Sequence, residues 1–101
     1  MNSQSTADEE LKMRLNKETA KIDWHELQRF YASGSVIAVE KGMDLIEVGC
    51  QLSADNISQV EQWLNDGRLF KPTDQQAKKW FENESEHWVL VISPWVLVQQ
   101  L

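Results

Sequence analysis

Cysteine occurs once, proline twice and glycine four times in this chain of 101 residues, and no long apolar run is present. Each scarcity removes a class of protein. With Cys50 alone no internal disulfide can form, which argues against a disulfide-stapled secreted domain and for a reducing compartment. Its flanks, IEVGCQLS, hold no cation to lower the thiol pKa, so a nucleophilic role is disfavoured. Gly34, Gly42, Gly49 and Gly67 are scattered, so there is no glycine-rich phosphate loop; each sits where a turn, cap or bulge calls for one. CxxC, HExxH and a serine-hydrolase elbow are also missing.

Spanning a bilayer as a helix takes roughly 20 apolar residues. The most apolar stretch, Trp88 to Val98, is about half that length and is interrupted by Ser93-Pro94. The opening MNSQSTADEE has neither a basic start nor an apolar segment, so no signal peptide is expected and the cytoplasm is the predicted location. Positive charge is sparse as well: net charge is −6, and residues 42–101 carry four Lys/Arg against nine Asp/Glu. Nucleic acids and anionic membranes are gripped by concentrated cations, so neither is a predicted partner.

What is present suits a folded domain, with 42% apolar and 26% charged residues. Residues 1–7 are small and polar and are expected to be disordered; residues 8–101 read as a single domain. Leu11, Leu15 and Ile22 share a helical face, and Ala20, Trp24, Leu27 and Tyr31 form a second, rotated stripe. The spacing predicts one N-terminal helix, straight or kinked, or a restart at Asp23 with Glu26 completing a capping box. Gly34 is its expected C-terminal cap.

Val36–Glu40 and Asp44 to about Leu52 read as a β-hairpin around Gly42. Two short helices follow. One carries Ile57, Val60 and Leu64 with Trp63 alongside; the other opens at Thr73 with Gln76 and buries Ala77, Trp80 and Phe81. RLFKP between them can be no more than an edge strand. The run WVLVI lacks polar alternation and suits an inner strand, and Pro94 must mark a bulge, bend or edge. The predicted class is α+β, with the N-terminal helix, the hairpin, the two short helices and a C-terminal strand around one small mixed sheet.

Polar candidates are few. His25 and His87 have no second histidine at a local ligand spacing, so no metal or cofactor is predicted. Glu18 lies near the Leu11–Leu15–Ile22 stripe, where a buried carboxylate would need Arg14, Lys21 or a backbone donor; a solvated pair is the plainer expectation. Five tryptophans are an unusual load, since large aromatics dominate both cores and interfaces. Trp63 and Trp80 read as core, and Trp95, just past Pro94, as the one to be exposed or shared with a partner.

The segments ETAKIDWHELQRFYASGSVIAV (18–39), VEQWLNDGRLFKP (60–72) and HWVLVISPWVLVQ (87–99) resemble a bacterial family, domain of unknown function 2288. The resemblance implies a single-domain cytosolic bacterial protein and supplies no activity, cofactor or catalytic residue. The functional expectation is a non-enzymatic module that acts through an unknown protein partner or self-association. Its candidate interface is Trp24, Tyr31, Pro94, Trp95 and Leu97. The alternative is a small-molecule-binding or catalytic pocket formed by Glu18, Trp24, His25 and Tyr31.

Overall fold

Thr19 ends the first helix: its amide and its hydroxyl both donate to the Leu15 carbonyl, at 3.1 and 2.8 Å. In the computed structural model, which describes residues 3–101 and side chains from Asp8 onward, that helix is α1, Ser3–Glu18. The expectation of disorder over residues 1–7 therefore lies outside the described side chains. A short strand, β1 (Ala20–Asp23), then precedes α2 (Trp24–Ala32). Of the two N-terminal alternatives the restart at Asp23 is the one realised, and the single long helix is not. The Asp23 side chain makes no capping bond; the Trp24 amide is tied instead to the Ser85 carbonyl at 2.9 Å. Gly34, at φ +79°, closes α2, with its own amide donating to Tyr31 and that of Ser35 to Phe30.

After β2 (Val36–Val39) the predicted hairpin does not form. Its second strand is a helix, α3 (Leu45–Ser53), opened by the Asp44 carboxylate accepting from the amides of Ile46 and Glu47. Leu45, Val48, Gly49 and Leu52 recur at helical spacing, and Leu45, Val48 and Gly49 are buried. Then come α4 (Ile57–Asn65), β3 (Leu69–Phe70), α5 (Asp74–Glu82), β4 (Glu86–Ile92) and β5 (Trp95–Gln100). The Thr73 box forms as expected: the Gln76 amide donates to the Thr73 hydroxyl at 3.1 Å, and Gln76 accepts from the Thr73 amide at 3.0 Å.

The five strands form one mixed sheet in the order β1-β4-β5-β2-β3. Only β2–β5 is parallel. The chain does turn back after Ser93-Pro94, through a two-residue hairpin in which Ile92 faces Trp95, so Pro94 occupies the turn, where no ladder amide is needed. The class is α+β with a mixed sheet closed by a C-terminal strand.

Alternation along the strands gives the sheet two apolar faces. Val36, Ala38, Val89, Val96 and Val98 pack with Trp24 and Leu27 of α2 and Ala77 and Trp80 of α5. Ile37, Val39, Leu90 and Leu97 pack on the other side with Leu15 of α1 and Leu45, Val48 and Cys50 of α3. Helices thus cover both faces. Gly49 permits the close approach on the second side: a β-carbon there would stand 2.7 Å from Leu90 Cδ2 and 3.2 Å from Leu15 Cδ1. Cys50 is a free thiol buried in this layer, and desolvation pushes its pKa up, with Glu47 adding to the rise. No helix among the described residues is long and apolar enough to cross a membrane.

Candidate functional site

Helix α4 has an apolar stripe that its neighbours cover only in part. Ile57, Val60 and Leu64 follow one another along the helix, and α4 has no fully buried residue. Val60 and Trp63 lean on the α3 side of the core, but Ile57 is 64% exposed and Leu64 44%. The β4–β5 hairpin brings Trp95 to the same place. Leu52, Ile57, Val60 and Trp95 line a groove of about 190 Å³, bordered by Asp55, Asn56 and Glu61. Trp95 is half-buried, and Lys71, just past β3, lies 5.9 Å from its ring centroid.

Local chemistry fixes the shape of this groove. Asn56 caps α4 by accepting from the Gln59 amide at 3.4 Å, and its side-chain amide donates to Gln51 Oε1 at 2.6 Å. The corner between α3 and α4 is Asp55, held at φ +56°, with its amide donating to Leu52. From Gly42 to Gly67 the chain has five carboxylates, Asp44, Glu47, Asp55, Glu61 and Asp66, and no Lys or Arg. Glu47 pairs with Lys12 at 3.6 Å and Asp44 caps α3; Asp55, Glu61 and Asp66 have no ion-pair partner among the described residues. The groove is therefore apolar at its floor and anionic at its rim.

The other expected interface residues divide. Pro94 is exposed in the hairpin turn beside Trp95. Leu97 and Trp24 are core residues, both 0% exposed on opposite faces of the sheet, so neither offers a surface. Tyr31 is half-buried, and its hydroxyl donates to Asp74 at the start of α5; that bond to a carboxylate raises the phenol pKa.

The four residues of the alternative pocket do not converge. Glu18 is on α1, exposed, and pairs loosely with Arg14 at 3.8 Å. Trp24 points into the core, where its ring meets Trp80 edge-on at 4.9 Å. His25 stacks on Phe81 at 4.2 Å and contacts the Phe81 carbonyl through Nε2 at 3.1 Å. Together His25–Phe81 and Tyr31–Asp74 clamp α2 and α5 at both ends. An open hollow of about 520 Å³ beside α2 is lined by His25 but by none of the other three.

For one polar group, weighed in the sequence only as a metal ligand, burial went unread. His87 is 0% exposed, wedged between Trp80 and Trp24, and among the described residues neither ring nitrogen has a hydrogen-bond partner, nor has Trp24 Nε1. Burial lowers the imidazole pKa, and the nearby Ser85 backbone acts weakly in the opposite sense without reaching hydrogen-bonding geometry. Ile22 pairs with His87 across β1 and β4, but a histidine at a strand start gives no sign of its depth.

Comparison with known proteins agrees with this architecture. The solution structure of PA1075 from Pseudomonas aeruginosa is similar, with 35% identity and a TM-score of 0.76 over 99% of this chain and 90% of that one. No curated protein matches. The model described as "Protein of unknown function (DUF2288)" matches residues 10–100, and the chain belongs to that family.

Proposed function

We propose that the protein is a non-enzymatic interaction module that binds a protein partner through the groove between α4 and Trp95. The observation that carries this reading is the exposure of Ile57 and Leu64 on a stripe continuous with Val60 and Trp95. Leaving large aliphatic groups in water forgoes about 1.5–3 kcal/mol per side chain relative to burial. Exposed apolar patches with a polar rim are the usual form of a docking site. Titratable and aromatic groups elsewhere serve packing: His25 and Tyr31 join helices, and Trp24 and Trp80 fill the core. The reading extends to the cytosol of a bacterium, supported by the bacterial source of the solved relative and by the unpaired Cys50 thiol.

The test is a comparison of the native chain with Ile57→Ser and Trp95→Ala. Each variant is first shown to melt cooperatively, then used as bait in cell extract. A partner that co-purifies near stoichiometry, binds the native chain when purified, and is lost with both variants supports the module. A purified partner held equally well by all three baits would place binding elsewhere.

A further inference from the structure

The rim of the groove identifies its occupant. We propose that the α4–Trp95 groove binds a cationic polypeptide segment carrying a large apolar anchor, rather than a second copy of this chain; the inference rests on the interaction reading above. The apolar floor of Leu52, Ile57, Val60 and Trp95 accepts an aliphatic or aromatic side chain. Asp55 and Glu61 stand at its border with no ion-pair partner among the described residues, and Asp66 follows the same helix. A lysine or arginine flanking the anchor would neutralise them, and complementary charge of this kind sets partner choice and association rate. Lys71 already lies over the Trp95 ring, so the match to an incoming cation comes from the carboxylates and not from that ring.

Self-association through this face has the opposite electrostatics. A two-fold axis across α4 would bring Asp55, Glu61 and Asp66 of two copies together, with no Lys or Arg between Gly42 and Gly67 to offset them. The stripe from Ile57 to Leu64 is about 10 Å long at the helical rise. It suits two or three turns of a partner helix, or a short extended segment, and not a broad interface.

The experiment uses the full chain, ¹⁵N-labelled, and three synthetic 14-residue peptides with blocked ends. The first is amphipathic, with Leu on one helical face and Lys on the other. The second has the same composition in scrambled order, and the third replaces Lys by Glu. Saturable binding of the first peptide is expected, with amide shifts centred on Leu52, Ile57 and Glu61. Affinity should fall at least tenfold for Ile57→Ser, for the double variant Asp55→Lys/Glu61→Lys, and for the scrambled peptide.

Each other outcome overturns the proposal in its own way. Equal binding of the scrambled peptide reduces the effect to bulk charge attraction. If the Leu/Glu peptide binds the same residues as tightly, the groove is an interface but its charge preference is not cationic. If no peptide shifts α4, the groove reading fails as well. A concentration-dependent dimer in sedimentation that Ile57→Ser abolishes would make a second copy the occupant; Lys78, Lys79 and the exposed Phe81 of α5 are the surface it would offer.

Discussion

The imidazole of His87 meets the indole of Trp80 edge-on, with ring centroids 4.7 Å apart and planes at 70°. No hydrogen bond from the described residues reaches that ring, and burial outweighs the opposing Ser85 backbone and lowers its pKa. Above the unfolded-state value of about 6.5 the group is neutral in both states and stability is unaffected by pH. As pH falls through that value the unfolded chain takes up a proton that the folded one refuses, so stability drops by up to about 1.4 kcal/mol per pH unit until the folded-state pKa is reached. Urea titrations between pH 7.5 and 5 should show this decline, and His87→Phe should flatten it. An unchanged slope in His87→Phe would mean that another group controls the acid response.

Gly49 is a packing position. A side chain there must displace Leu90 and Leu15, which are 0% and 1% exposed and have little room to move. Gly49→Val is expected to lower stability by about 2–3 kcal/mol through overpacking, despite any gain in backbone entropy. Thermal melts will read the change. A neutral result would show that α3 can lift from β4 at little cost.

Helix ends supply a paired prediction of opposite sign. Glu84 follows α5 in the left-handed region, φ +51°, with its amide bonded to Phe81, while Gly34 holds the equivalent place after α2. An L side chain in that region costs about 1–2 kcal/mol. Glu84→Gly should therefore stabilise the protein by about 1 kcal/mol and Gly34→Ala should destabilise it by a similar amount. Chemical denaturation of both variants checks the pair, and a common sign would contradict it.

Leu97 and Trp95 are two residues apart on β5 but differ in surroundings. Leu97→Ala should cost about 2–5 kcal/mol, because it empties a closed site in the core. Trp95→Ala should cost clearly less and leave a cooperative transition, since part of the ring already faces water. If Trp95→Ala is the more damaging of the two, Trp95 is chiefly a structural residue and the groove loses its main wall.

Local chemistry made much of this fold legible. Thr73-Gln76, Gly34 and Gly67 mark helix ends by short-range rules, and the Val-rich composition around Ser93-Pro94 announces strand, read as one C-terminal strand where the chain forms two, β4 and β5. Two segments misled for different reasons. In LIEVGCQLS the β-branched residues alternate well enough to suggest a strand; the better signal was Asp44 followed by Leu45, Val48, Gly49 and Leu52 at helical spacing. In AKID three of the four residues are exposed, and the segment is extended because β4 lies beside it, a fact no local rule contains.

The site was legible only by half. Pro94 marked an interruption, a bulge, bend or edge, and the form it takes is the hairpin turn beside Trp95. The stripe of Ile57, Val60 and Leu64 shows equally well in a covered helix and an uncovered one, because periodicity reports which face is apolar and not what lies over it. For the same reason Trp24 and Leu97 could not be told from interface residues until their neighbours were known.

β5 joins the two halves of the sheet, pairing with β4 on one side and β2 on the other, and it follows every other strand in chain order. On the ribosome β1 therefore waits for β4, and β2 has only the two-residue β3 to pair with until Trp95–Gln100 emerges. The four buried residues of β2, Val36–Val39, remain without their main neighbour throughout that interval. Cooperative folding of the sheet must then wait for Trp95–Gln100, and chains stalled before Trp95 should be the form that chaperones and proteases meet.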